Sequence, residues 1–388
     1  MEMLVTGALP DPAFWRGKRV LLTGHTGFKG AWMALWLGRM GAEVTGFARA
    51  PDTDPSLFAL AGVEADLVSI IGDLRDLAAV EAAVAKADPE IVLHLAAQPI
   101  VRAAIADPVD TLASNVMGTA HLLQALRVAP SVATILVVTT DKVYRNAGDG
   151  HAYVEGDPLG GKDPYSASKA AAELITASFA ATYFAPCGVK VATARGGNVI
   201  GGGDFSPDRI VSDIVRSVMH GSDLALRMPG ATRPWQHVLD CLSGYLLYAE
   251  RLTIGDVLPA ALNVGPAPAR AITVGELASR LLAALGKPTD FAVRPEARSV
   301  EMTTLAIDAS LARRELGWRD RIVDDDLIRW TADWYGKVLA GAPARALTLQ
   351  QIAAYCDGEA DRVAPVSSDA ASPPAIAPVS SSQGSITP

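Results

Sequence analysis

From Lys18 onward, short apolar runs rich in β-branched residues alternate with Ala- and Leu-rich stretches of helical period. Arg19 to Thr23 is the first run; the helical stretch Ala31 to Met40 follows, and then the run Glu43 to Phe47. The alternation continues through runs at Leu67 to Ile71, Ile91 to Leu95, Thr134 to Thr139 and Val189 to Ala194. Runs of this length, bounded by turn residues and separated by helical windows, predict βαβ units and a parallel sheet. Right-handed crossovers put the helices on both faces, so ligands bind outside the carboxyl ends of the strands. The fold class predicted is α/β: a doubly wound, Rossmann-like parallel sheet with a smaller, discontinuous α/β lobe beside it.

The texture changes near residue 200. Gly- and Pro-rich loops at Gly201 to Asp204, Met228 to Pro234 and Gly265 to Pro268 then separate shorter elements. This places a first domain over residues 14–200 and most of the second lobe, with crossover segments, over 201–340. From Arg362 no periodic apolar face remains, so 362–388 is expected to be a disordered tail. No internal repeat is present.

Composition narrows the partners. Of 388 residues half are apolar and a fifth charged, enough for a large core, and the formal charge of −8 excludes a basic nucleic-acid footprint. Cys187, Cys241 and Cys356 are too far apart for a disulfide framework or a metal-ligand spacing, which predicts no metal and fits a reducing cytoplasm. No stretch approaches the roughly 20 uninterrupted apolar residues that cross a bilayer, so no membrane partner is expected.

The chemistry begins where the first run ends. Gly24-His-Thr-Gly27-Phe-Lys-Gly30 joins a predicted strand to a predicted helix, and its glycines allow a sharp turn and close approach of backbone N–H groups to a pyrophosphate. Thr26, Phe28 and Lys29 complete this candidate cofactor loop. After the second strand Arg49 and Asp52 offer both a partner for a ribose 2′-phosphate and one for a free 2′-hydroxyl, leaving NAD and NADP open. Asp73 and Leu74 follow the third strand, where they either meet the adenine edge or make a capped turn. Ala96, Ala97 and Gln98 follow the fourth, where small residues suit either a cofactor wall or core packing.

Tyr165 and Lys169 open an Ala-rich helix at i, i+4 spacing, so both side chains share one face. An ammonium and a positive nicotinamide ring both favour a phenolate, so this pair suits proton removal from an alcohol near neutral pH. A hydroxyl, Thr139 or Thr140, ends the fifth strand, and Asp141 and Lys142 follow it to the same carboxyl edge. That is more acid–base equipment than hydride transfer needs; the other reading is an Asp141 turn cap with a solvated or paired Lys142.

These residues resemble the extended short-chain dehydrogenases that act on nucleotide sugars, within them the CDP-glucose 4,6-dehydratase branch. The matching stretches are Phe14 to Val20 with Thr23 to Gly30, Ala96 to Pro99, Thr140 to Tyr144, Pro158 to Ser166, Gly197 to Asp204 and Arg233 to Val238. The resemblance implies oxidation at C4 of a nucleotide-activated hexose, loss of water between C5 and C6, and return of hydride to C6. It assigns Tyr165 as base at the C4 hydroxyl, Thr140 as the group orienting that oxygen, Asp141 as acid to the C6 hydroxyl and Lys142 as candidate base at C5. It implies NAD as cofactor, with NADP not excluded, and a nucleotide-diphosphate sugar as ligand. It also places Asn198, Arg209, Arg233 and Gln236 at that ligand, the arginines being either phosphate clamps or surface ion pairs. Relatives dimerise through the helix carrying the Tyr/Lys pair, which implies a homodimer or higher homo-oligomer.

Two departures bear on the sugar. Tyr153-Val-Glu155 lacks the arginine usual in an aromatic-Arg-Glu sequence, and Met302 to Thr304 with Ala306 replaces aromatic or basic residues. Two competing functions share parts of the site: a nucleotide-sugar 4-epimerase, which needs no Asp141 or Lys142, and a non-catalytic cofactor-binding sensor, which needs no Tyr165/Lys169.

Overall fold

The computed structural model describes residues 7–267, 272–294 and 304–358. Seven parallel strands form the central sheet: β1 Arg19–Thr23, β2 Glu43–Ala48, β3 Val68–Ile71, β4 Ile91–His94, β5 Thr134–Thr140, β6 Lys190–Gly196 and β7 Ala261–Val264. Their order across the sheet is β7-β6-β5-β4-β1-β2-β3. Chain direction across the sheet reverses between the neighbours β1 and β4, which makes their carboxyl ends the switch point where such folds bind ligands.

Side-chain alternation explains the two helical layers. Val20 and Leu22 of β1, Ile91 and Leu93 of β4, and Leu136 and Val138 of β5 enter one core, against helices α1 (Phe28–Arg39) and α6 (Val238–Thr253). Leu21, Val92, Ile135 and Val137 point the other way, against α2 (Leu77–Ala87) and α3 (Gly118–Leu126). Both faces are covered, so the strands read as apolar runs rather than as apolar–polar alternation. Helix α4 (Pro164–Phe179) starts on a capping box in which the Asp163 carboxylate accepts from the Ser166 N–H (3.0 Å), with Pro164 at the first helical position.

After β6 the chain leaves the sheet and builds short elements: Asn198–Ile200 pairs with Trp235–His237, Thr232–Arg233 with Ile272–Thr273, and Ala225–Leu226 with Ala292–Val293. Helices α5 (Ile210–His220), α7 (Val274–Ala284) and α8 (Asp324–Leu339) pack around them. The chain also returns, through the buried α6 and into β7 at the sheet edge, so the span after residue 200 contributes to both layers. Helix α9 (Ala344–Asp357), outside the elements expected from the pattern, folds back against α1. Its Tyr355 ring meets Trp36 of α1 edge-on, and Arg345 makes a two-pronged contact with Asp66 at 2.6 and 2.7 Å. The expected tail, 362–388, and Met302 lie outside the described residues. Among the described residues no helix is long and apolar enough to cross a membrane, and no His, Cys, Asp and Glu group has the arrangement of a metal site.

Candidate active site

The glycine loop is built for close approach. Gly24 takes a left-handed φ of 81°, and a side chain on Gly30 would sit inside the carbonyl oxygen of Gly24. Gly27 caps α1 without any side-chain bond, so the first-turn N–H groups of the helix face outward unclaimed by a cap. This donor set fits a dinucleotide pyrophosphate. The Thr26 hydroxyl is used within the loop, donating to the Arg49 carbonyl (2.8 Å), Phe28 packs toward Gly201, and the Lys29 ammonium lies 5.8 Å over the Tyr245 ring. Arg49 pairs with Asp52 at 2.8 Å on an exposed turn.

The loop after β4 is held from below. The Thr23 hydroxyl and His94 Nδ1 hydrogen-bond at 2.7 Å, the Ala96 N–H donates to Thr23, and His94 Nε2 meets Thr119 at 3.1 Å. Burial drives His94 down to about 3, with the Lys169 charge adding to it, so this histidine is a neutral strut. Gln98, beyond the half-buried Ala97, is locked through its backbone N–H to Asn115 Oδ1 (2.7 Å) and its side-chain amide to Thr111 (2.8 Å). Asn115 Nδ2 donates in turn to Ser168 (2.9 Å), whose hydroxyl donates to the Tyr165 carbonyl. Sequence reasoning missed this chain from the cofactor loop to the Tyr/Lys helix; its signal is a polar Asn115 inside an apolar helical window, where the structure has a π-turn, Ala113–Met117. On the far side Asp73 is clamped by Arg75, whose hydrogen bonds hold it below the usual carboxylate range, and Leu74 is buried with its carbonyl accepting from His121 Nδ1.

The predicted reactive groups converge at the end of β5. Strand alternation separates the two threonines: Thr139 donates to the buried Glu173 (2.5 Å), while Thr140 lies on the other side, beside Tyr165, and donates to Asp141 Oδ1 (2.9 Å). Asp141 is fully buried, its Oδ2 has no hydrogen-bond partner, and the Lys142 ammonium stands 3.6 Å from its Oδ1. Burial pushes Tyr165 up to about 12, against the Thr140 hydroxyl and the Arg209 charge, which draw it down. Lys169 is lowered to about 8 by burial and donates to the Val138 carbonyl (2.8 Å). The protein alone thus holds Tyr165 protonated, because desolvation outweighs its cations; the phenolate expected near neutral pH requires added positive charge.

A cleft between the sheet edge and the second lobe brings together Lys142, Asn198, Arg209 and Arg233. Asn198 Oδ1 is buried without a partner, Arg209 lies 3.6 Å from Asp204, and the buried Arg233 donates to the Thr232 carbonyl. Gln236 is not in this wall: its side chain is buried with both amide atoms unpartnered, and it lines a smaller hollow with Asp240 and Arg280. Two cleft residues escaped the sequence reading. Arg102, beside β4, and Arg227, in the second lobe, both donate to Asp208 Oδ1, at 3.1 and 3.0 Å, joining the two walls. Of the two departures, the second adjoins this cleft through Leu305. Val154, in place of the usual arginine, points to solvent, while Ala306 pairs beside Ala152 in a two-residue bridge.

The model of the GDP-mannose 4,6-dehydratase family matches residues 21–331. A CDP-glucose 4,6-dehydratase of Salmonella typhimurium is 39% identical over 351 residues, covering 89% of this chain and 98% of the relative. A dTDP-glucose 4,6-dehydratase of Streptomyces antibioticus is 32% identical over 68% of this chain and 75% of its own. Among solved structures, a UDP-glucose 4-epimerase of Thermus thermophilus in complex with NAD superposes with a TM-score of 0.70 at 26% identity, covering 81% of this chain and 98% of that one.

Proposed function

The chain belongs to the GDP-mannose 4,6-dehydratase family, and from that premise we propose that it dehydrates CDP-glucose to CDP-4-keto-6-deoxyglucose. The nucleotide is read from the Salmonella relative, a CDP-glucose 4,6-dehydratase matched along nearly its whole length. NAD, present in the Thermus neighbour, suits the uncapped helix start and the tight Gly24–Gly30 turn. When bound, it would supply a hydride acceptor for C4 and a donor for C6, and its positive ring would favour loss of the buried Tyr165 proton.

In this reading Tyr165 accepts the proton of the C4 hydroxyl while Thr140 orients that oxygen. The resulting ketone acidifies the C5–H bond; Lys142, as free amine, removes the C5 proton, and Asp141, as carboxylic acid, gives a proton to the departing C6 hydroxyl, which leaves as water. Hydride arriving at C6 and a proton returned to C5 complete the 4-keto-6-deoxy sugar. The observation that carries the reading is the side-by-side placement of Asp141 and Lys142 next to Thr140, with one Asp141 oxygen uncommitted. A 4-epimerase has no use for it. Asn198, Arg209 and Arg233 are assigned to the diphosphate, where guanidinium forks suit phosphate oxygens. Gln236 supports the wall only through its neighbour Trp235, which faces both hollows.

The homodimer is part of the same proposal: Leu112, Met117, Leu174 and Tyr183 are exposed apolar side chains on the α3 and α4 side of the molecule. Sedimentation at micromolar concentration should give twice the chain mass; a monomer refutes it. Free cysteines at Cys187, Cys241 and Cys356 support a cytoplasmic setting.

The test of function is incubation with CDP-glucose, UDP-glucose, dTDP-glucose and GDP-mannose in deuterated water, with products read by NMR. The expected product is a 4-keto-6-deoxy sugar from CDP-glucose carrying deuterium at C5. A C4 epimer overturns the reaction assigned, and no turnover on any of the four favours a sensor.

A further inference from the structure

Beneath the reactive groups lies a charge pair that none of their roles requires. Glu173, on α4, is one turn beyond Lys169 and two beyond Tyr165, and Arg195 is in β6; both are almost wholly buried. Arg195 Nε donates to Glu173 Oε1 (3.0 Å) and Nη2 to Oε2 (2.9 Å), a two-pronged fork. The remaining lone pairs of the carboxylate take the Thr139 hydroxyl (2.5 Å) and the Thr193 hydroxyl (2.7 Å). Arg195 Nη1 reaches onward to the Tyr144 hydroxyl (2.9 Å) and the Glu155 carbonyl (3.0 Å), and Tyr144 donates to Asn263 of β7 (2.6 Å).

We propose that Glu173 and Arg195 are positioning residues that hold the Tyr165/Lys169 helix in register with the Thr140-Asp141-Lys142 turn. The connections lie on both sides of the chemistry. Glu173 grips the helix that supplies Tyr165 and Lys169, and through Thr139 it grips the residue just before Thr140. Arg195, through Tyr144, grips the residue two beyond Lys142. The turn carrying the three groups is therefore tied at each end to one ion pair, and that pair is rooted in the helix carrying the other two. A buried ion pair is a weak source of stability, since apolar residues of similar volume often replace it at no cost, so a role in geometry is what its full satisfaction points to. Oxidation at C4 and elimination at C5 and C6 must occur on one bound sugar, and a misplacement of about 1 Å costs on the order of 100-fold. The Glu173 charge also supports the protonated form of Lys169.

The inference rests on the dehydratase reading above, and its test separates the two. Three variants are compared with the parent: Glu173→Gln, the apolar double variant Glu173→Leu/Arg195→Met, and Thr139→Val, which removes one bond and leaves the ion pair whole. The expected result for the double variant is a parent-like thermal midpoint and KM with kcat reduced about 10- to 100-fold. Thr139→Val should show a smaller loss in kcat at unchanged KM, and it carries the test if the double variant does not fold. In Glu173→Gln the Lys169 amine, followed by NMR of ¹³Cε-labelled lysine, should titrate at lower pH than in the parent. A folded double variant, or Thr139→Val, with the parent kcat overturns the proposal. If the parent itself is inactive on all four nucleotide sugars, the function fails instead; the lysine titration then decides the positioning claim, and an unmoved Lys169 in Glu173→Gln overturns it.

Discussion

Asp141 and Lys142 stand 3.6 Å apart, a spacing that lets one serve the C6 hydroxyl while the other serves C5 of the same sugar in the proposed elimination. This gives a sharp expectation for Lys142→Met: solvent deuterium no longer enters C5 while reduction of bound NAD by the substrate persists, with turnover lower by about 100-fold or more. Exchange at the parent rate would remove Lys142 from the role. At this scale the sequence was readable for side chains that declare themselves by type, Tyr165, Lys169 and Asp141, and mute for those whose work depends on direction. Thr139 and Thr140 are the same residue in adjacent positions; only the strand's alternation sends one to Glu173 and the other to Tyr165. Arg195 and Glu173, 22 residues apart, carry no local mark of pairing. Gln236, expected at the nucleotide sugar from resemblance, has an orientation that no pattern of letters encodes.

Among elements, the glycine turn and α1 form the most constrained unit, because backbone occupies the space that a side chain at Gly30 would take. Gly30→Ala must therefore push the helix start away from Gly24, destabilising the fold by about 1–3 kcal/mol. It should weaken NAD binding by about tenfold or more, since donors that aim at a pyrophosphate lose their aim. Calorimetric titration with NAD checks this, and unchanged affinity in a folded variant would show that the turn does not hold the cofactor. The strands β1 to β6 were legible because each has an apolar run between turn residues, and their bounds moved by a residue or two at most. The seventh was not. Ala261–Val264 has four residues, follows the buried α6, and lies in a span whose loops are rich in Gly and Pro, so nothing local marks it as part of the main sheet. Pairing with β6, from Ala261 opposite Thr193 to Val264 opposite Gly196, is a tertiary fact. The same holds for α9, whose apolar residues are spread around the helix; Trp36 and Asp66 decide which side faces inward.

For the whole molecule, the balance of buried titratable groups sets its response to acid. Burial lowers His94 and His237 to about 3 and His25 to about 4, so each is neutral in the fold while its unfolded counterpart takes a proton below about 6.5. The unfolded chain then binds more protons, and each such histidine withdraws about 1.4 kcal/mol of stability per pH unit as pH falls below that point. Asp240 acts in the opposite sense. Burial raises it to about 7, against hydrogen bonds from the Arg321 and Ile322 N–H groups and Tyr355, so the fold binds a proton there that the unfolded chain releases above about 4. Its contribution is present at low pH and lost as pH rises through about 7. Glu155 and Glu250, raised by burial, lean the same way. Three histidines outweigh these partial gains, so stability should fall by about 1–3 kcal/mol for each pH unit between about pH 6 and 5. Urea unfolding at several pH values measures that slope. His237→Phe removes one contribution: the ring sits edge-on to Trp32 and Trp330 and its Nε2 has no partner, while the loss of Nδ1, which accepts from the Leu239 N–H at the start of α6 (3.2 Å), lowers stability at every pH and leaves the slope as the readout. The variant should flatten the acid slope by about 1.4 kcal/mol per pH unit; an unchanged slope would mean that His237 does not contribute to it.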